Sequence, residues 1–497
     1  MKRSLIASLA TLSLFGMASC TQDNVLKEPD AKENPTPAPE PTPKETAQKG
    51  EDPYIWLEEV EGEKALKWVR SQNDRSLKHL QSNPVYKQLE QDALEVVNST
   101  DRIPYGSIRN GEVYNFWQDK TNVRGLWRKT SLESYATDTP EWETILDFDK
   151  LAADEGKNWV FKGANCYTAK GEADYKCIIT LSDGGKDAAI RREFDLASKT
   201  FVEGGFQLPE AKAGTVWVDY DTLLVGTDWG SDGSTLTDSG YPSVVKRWKR
   251  GTPLSEAETL HTGDKTDVGV WPFALEKDDG TRIEGAVEAD TFFTSKYFIF
   301  PKDGTEAVQL PIPEKSTPVG LFQGYLFMTL EQDWTIKTDG SDATFKTGSL
   351  LAMPFPEDGN VTDTILPEVV FEPNDRQAIE SVSMTQGKIL VTLNDNVTGK
   401  VLAITKGESV WNINELDLPA NGTLSVSFAD QEEDTVFINY EGFLTPDSLM
   451  SYSASTGEIK TLKSLPSWFE AEDLVVEQKE VASKDGTMIP FFVIHKK

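Results

Sequence analysis

Between residues 62 and 96 apolar side chains recur every three or four positions. Leu66, Val69, Leu77 and Leu80 form one stripe, and Val85, Leu89, Ala93 and Val96 form a second. That spacing puts the side chains on one face of a helix. Asn83-Pro84, between the stripes, reads as an N-cap followed by proline at the first helical position. The pattern predicts two short amphipathic helices within 52–100, each needing something to cover its apolar face. From about residue 101 to 470 the period drops to two. Short strands are predicted at Glu112 to Gln118, Lys176 to Leu181, Tyr325 to Leu330, Lys388 to Leu393 and Thr435 to Tyr440, among others. Turn dipeptides punctuate them: Asp183-Gly184, Asp232-Gly233, Asp279-Gly280, Asp303-Gly304, Asp339-Gly340 and Asp358-Gly359. No helical period interrupts this stretch. A single sandwich of that length is improbable, whereas a radial array of four-stranded sheets buries its edges by repetition. At roughly 50 residues per blade the stretch holds seven. The fold class predicted is therefore all-β, a seven-bladed β-propeller with an N-terminal helical extension. After it, the Asp485-Gly486 turn and the apolar run from Met488 to Ile494 read as the first strands of another domain.

Composition changes the picture at the N-terminus. Lys2-Arg3 precedes an apolar stretch from Leu5 to Met17, too short for a stable transmembrane anchor. Met17-Ala18-Ser19-Cys20 resembles a lipobox, in which Cys20 becomes the lipidated first residue of a bacterial envelope lipoprotein, periplasmic or surface-facing. The alternative is ordinary signal cleavage after Gly16-Met17-Ala18. Six prolines between Pro29 and Pro43, among small polar and acidic residues, make 21–51 an extended tether of roughly 90 Å at ~3.1 Å per residue. The formal charge of −31 repels nucleic acid and anionic lipid, so membrane contact is expected through the lipid alone. Past Cys20 only Cys166 and Cys177 remain, with ten residues, Tyr167 to Lys176, between them and Gly171 in the middle. In an oxidising compartment they read as a bridged hairpin, with two buried free thiols as the alternative. With three histidines in the chain and none near either cysteine, zinc is not expected, nor is any other metal or cofactor.

Candidate chemistry is sparse. No serine stands in a Gly-x-Ser-x-Gly frame, the strained turn that exposes an α/β-hydrolase nucleophile. Asp228 to Gly233 lacks the alternating ligands of a calcium loop and reads as a solvated turn. Asp147, Asp149, Asp154 and Glu155 read as caps and flanks of a helical turn. Lys246-Arg247-Trp248-Lys249-Arg250, the one basic run, reads as a strand with a solvated face, or as a surface for a peptide carboxylate.

Several motifs nonetheless occur in a telling order. They are Asp52-Pro53-Tyr54-Ile55-Trp56-Leu57-Glu58-Glu59-Val60, Trp68-Val69-Arg70-Ser71-Gln72-Asn73, Trp142 to Asp147, Leu181-Ser182-Asp183-Gly184-Gly185, Arg192-Glu193-Phe194-Asp195, Gly442-Phe443-Leu444-Thr445-Pro446 with Tyr452, and Ser483 to Thr487 with Ile489-Pro490. Together they resemble the prolyl oligopeptidase family of serine peptidases from 52 to 497. The resemblance implies a propeller at 101–470 that restricts an active site to short, proline-containing peptides. It implies that the helical extension, 52–100, packs on an α/β-hydrolase domain, and that 471–497 is the opening of that domain. It implies a Ser-His-Asp triad for which this sequence carries no matching position. His495 does not match the family's catalytic histidine, so no catalytic residue is assigned and the chain alone is expected to be inactive. A stand-alone peptide-binding propeller and an enzyme with its site in the central channel are the other readings. The last has no paired carboxylates or histidine cluster behind it.

Overall fold

The computed structural model describes residues 52–497 apart from 60, 231, 302–305, 338–339, 358, 360, 362–365 and 468. Cys20 and the proline-rich segment lie outside the described residues. The chain forms two compact units, 1–88 and 89–497.

In the first unit a 3-10 turn, Ile55–Glu58, precedes a helix at Glu63–Gln81. Trp56 meets Trp68 edge to face at 6.3 Å, and Lys64 lies over the Trp56 ring. The two tryptophan-bearing motifs of the sequence thus contact each other. A second helix, Tyr86–Asn98, lies mostly in the second unit and starts two residues later than proline placement predicts. Asn83 caps the preceding turn, its side chain accepting from the Val85 N–H. The stripes are where the spacing places them, but they are not covered. Leu77, Leu80, Leu89 and Val96 are 48%, 55%, 62% and 63% exposed, and Ala65 is the single buried residue of the first helix.

The second unit carries seven antiparallel sheets, and they are the seven blades of a β-propeller. Their spans are 106–147, 159–211, 214–262, 269–309, 316–371, 377–415 and 422–464, numbered blades 1 to 7. Blade 2 has its fourth strand broken between 201 and 207, and blade 5 carries an extra hairpin, Trp334–Ile336 with Ala343–Phe345. Every blade is built from consecutive strands, so no blade borrows a strand from the other end of the chain.

Period two explains how the ring holds. Successive side chains of a strand point to opposite faces, and each blade has a neighbour on both. In the second strand of blade 2, Cys177, Ile179 and Leu181 pack towards blade 1 while Ile178 packs towards blade 3. In blade 6, Ile389, Val391 and Leu393 face blade 5 while Leu390 faces blade 7. The outcome is seven apolar layers, one between each pair of neighbours. The seventh joins Ile108 and Val113 of blade 1 to Phe437 and Leu449 of blade 7, with Tyr135 stacked on Phe437. The circle is therefore closed by side chains rather than by strand exchange.

Short features follow the sequence reading. Asp147 caps the helix Phe148–Glu155 by accepting from the Lys150 N–H. Gly184, Gly233, Gly280 and Gly359, the second members of four turn dipeptides, all have φ between 69° and 82°, which glycine adopts without a Cβ clash. The terminal strands, Leu474–Ala482 and Met488–Lys496, pair only with each other.

The basic run requires a correction. Val244–Lys249 is indeed a strand, and Lys249 is exposed on it, but the two arginines of the run are paired rather than solvated, and Lys246 lies over the Trp229 ring. Arg247 bonds Glu284 and Glu258, each at 2.7 Å. Arg250 makes two parallel 2.8 Å bonds to Glu193, which is nearly fully buried and also accepts from the Phe206 N–H. Carboxylates from neighbouring strands and from blades 2 and 4 supply the partners, which spacing along one strand does not reveal.

Candidate functional site: the propeller channel

A seven-bladed ring encloses a channel lined by the first strand of each blade. These are Gly106–Arg109, Trp159–Tyr167, Gly214–Asp219, Gly269–Glu276, Ser316–Phe322, Gln377–Thr385 and Gly422–Phe428. Each is the free edge of its sheet, so exposure on these strands reports the water of the channel. Lys162, Asn165, Glu380, Ser425 and Ser427 are exposed there. The exposed positions are mostly polar and carry both charges, with Val160 and Ala378 among them.

The meander fixes what surrounds each mouth. In a four-stranded blade the chain enters strand one and leaves strand four at the same end, which also carries the turn between strands two and three. That end is the chain-bearing face. The terminal hairpin lies on it. Glu480 bonds Arg376 at 2.5 Å and Asn396 at 3.3 Å, Gln478 donates to the Asn396 carbonyl, and Phe492 meets Phe443 at 4.9 Å. Those contacts use one edge of the hairpin. Val481, Ile489 and Ile494 remain 43–54% exposed. The loop between strands two and three of blade 4 presents Phe292 and Phe293, 79% and 71% exposed, on the same face. The Thr291 side chain accepts from the N–H groups of Phe293 and Thr294 and holds that loop.

The opposite, turn face carries the connections between strands one and two. It is acidic and heavily cross-bonded. Glu433 of blade 7 accepts from the Asn110 N–H of blade 1 through its side chain and from Thr385 of blade 6 through its carbonyl. Burial pushes the Glu433 carboxyl above the usual carboxylate range, and Asp430 and Glu432 add to this. The Gln323 N–H of blade 5 donates to Asp278 of blade 4. Tyr175 of blade 2 lies among these groups. Burial raises its hydroxyl, Glu433, Asp430 and Glu432 raise it further, and Arg109 opposes them.

Cys166 and Cys177 stand directly opposite each other in register on the first two strands of blade 2, Cα atoms 3.9 Å apart, and are disulfide-bonded. His495 sits on the terminal hairpin, exposed, with its ring 3.2 Å from Glu477. The Lys496 carbonyl and then Glu477 raise its pKa above the ordinary value. Asp228 accepts from the Gly230 N–H and the Thr235 hydroxyl, as a turn does. Among the described residues no group of three or more His, Cys, Asp or Glu is placed to hold a metal ion. The sequence reading missed the acidic cross-bonding of the turn face and the Phe292-Phe293 tip. The adjacent phenylalanines were the available signal for the second; loops far apart in the chain give none for the first.

The fold defines a class, the seven-bladed β-propellers. Residues 29–465 match the family model described as prolyl oligopeptidase, N-terminal beta-propeller domain. The chain belongs to that family. It is 36% identical to an uncharacterized peptidase of Sinorhizobium fredii over 92% of this chain and 62% of the relative. It is 30% identical to an uncharacterized peptidase of Rickettsia prowazekii over 89% of this chain and 62% of the relative. A solved structure described as a post-proline cleaving enzyme from Rickettsia typhi superposes with a TM-score of 0.78 at 30% identity, covering 89% of this chain and 64% of that one. The chain thus spans somewhat under two thirds of the length of these relatives.

Proposed function

We propose that this chain is the gating propeller of a serine-type oligopeptidase that hydrolyses short, proline-containing peptides, working with an α/β-hydrolase domain that supplies the serine, aspartate and histidine. The observation that carries the reading is the family match from 29 to 465, which takes in the whole ring. Relatives that match along the same stretch are named as peptidases and extend well beyond it. The exposed apolar faces of Leu77, Leu89 and Val96, and of Val481 and Ile489, fit segments that a hydrolase domain covers. Peptides are the ligand class of the polar channel. The ring excludes folded proteins by its closure, and selectivity for size follows from the channel rather than from any catalytic group in these residues.

Acyl transfer needs a nucleophile, a base and oxyanion donors in one constellation. The 497 residues contain no Gly-x-Ser-x-Gly. The purified chain is therefore inactive towards a chromogenic Gly-Pro amide. Release above background that a serine-directed inhibitor abolishes would sink this reading. Cys20 is proposed as a lipid anchor in the bacterial envelope, since multiple acyl chains contribute ~0.8 kcal/mol per buried CH₂. Cys20→Ala should move the protein from the membrane to the soluble fraction. A wild-type protein already soluble, with Ser19 as its first residue, removes the anchor and leaves the propeller reading intact.

A further inference from the structure

The loop between the first two strands of blade 2, residues 168–175, does more than connect them. Its Lys170 donates to the Asp278 carbonyl of blade 4 at 2.6 Å and pairs with Glu432 of blade 7 at 3.2 Å. Blades 4 and 7 are not neighbours. Three blades part them on one side of the ring and two on the other. One ammonium that touches turns of both must lie over the space the ring encloses. The stem of Lys170 also passes close to Gly280 of blade 4, where an added Cβ would come within 2.6 Å of the Lys170 Cβ. The rest of the loop is held from other directions. Tyr220 of blade 3 donates to the Asp174 carbonyl and accepts from the Ala169 N–H. The Tyr175 carbonyl accepts from the Leu196 N–H. The loop therefore spans the mouth of the channel on the turn face, anchored to blades 3, 4 and 7.

Its base is where the disulfide sits. Cys166 and Cys177 close the hairpin immediately before the loop leaves the sheet. A bridge at that point keeps the two legs of the loop together where inter-strand hydrogen bonds run out. Cys177 is fully buried between blades 1 and 2, so the clamp is itself fixed in the ring.

We propose that residues 168–175 are a plug that closes the turn-face mouth of the propeller channel, with Lys170 as its pin and the Cys166–Cys177 bridge as its clamp. Solutes then reach the channel from the chain-bearing face. This goes beyond the peptide-gating reading and stands whether or not a hydrolase domain is present. Ser427, exposed on the channel-lining strand of blade 7 one residue from its turn-face end, is the reporter position. The chain carrying Cys20→Ala and Ser427→Cys is labelled with fluorescein maleimide, and the rate is compared in three backgrounds. With the plug intact, the reagent reaches the reporter only from the chain-bearing face and through the length of the channel, so labelling is slow. Lys170→Ala, which removes an exposed side chain and leaves the bridge, should raise the rate at least tenfold. Cys166→Ala with Cys177→Ala should raise it further. A rate that Lys170→Ala leaves within twofold of the parent overturns the proposal, and this variant decides the matter even if loss of the bridge prevents folding.

Discussion

The ring and its flanks carry the same kind of apolar signal and meet opposite fates. In the ring, Ile178, Leu181 and Phe194 are fully buried because each blade has a blade on either side. In the flanks, Leu89, Val96 and Ile489 obey an equally regular pattern and stand in water. Repetition makes the difference. A blade finds its partner in the next copy of itself, whereas an amphipathic helix or a two-stranded hairpin has only one face to bury and no copy to bury it against. A periodic pattern states that a face needs cover; only a second element supplies it.

The sharpest way to test that contrast is to delete equivalent apolar groups on each side of it. Phe194 packs against Trp127 and Phe201 between blades 1 and 2. Phe194→Ala should destabilise the ring by about 3–5 kcal/mol in urea unfolding, while Leu89→Ala should stay within about 0.5 kcal/mol. Equal costs would mean that the helix is covered in solution.

A smaller effect separates ring cohesion from simple apolar burial. Arg250→Ala leaves Glu193 buried without its guanidinium, joining blades 2 and 3 no longer, and should cost about 3 kcal/mol. Substituting Glu193 by Gln in the same background should recover part of that loss, because the uncompensated charge is gone. No recovery would assign the cost to lost packing of the arginine stem.

The smallest effect is set by pH. Burial raises the Asp195 carboxyl, but hydrogen bonds from Lys176 and Ser198 outweigh it and leave the group at about 2, against an ordinary 3.8. A carboxyl held below its unfolded value contributes stability that is fully present above that value and is lost as pH falls through the folded one. Between about pH 4 and pH 2 the ring should therefore lose roughly 2 kcal/mol through this one group. Asp195→Asn should flatten that part of the profile. An unchanged profile would place the acid sensitivity elsewhere.

Much of this was written in the chain. Alternation between 101 and 470 and the Asp-Gly turns required short antiparallel strands, and the length required about seven sheets, because side-chain direction and turn geometry are local properties. The helices at Glu63–Gln81 and Tyr86–Asn98 were equally local. Asp147 as a cap was legible for the same reason. Arg247 and Arg250 of the basic run were misread as solvated because their partners, Glu284 and Glu193, come from other blades. Lys170 was invisible as a functional residue, since nothing in its neighbourhood along the chain marks a lysine that meets residues 278 and 432. Local backbone preference thus determined the elements and their number. Ring closure decided which charges pair, which turns share a mouth and which loop crosses it, because those contacts join residues that only the closed circle brings within a few ångströms.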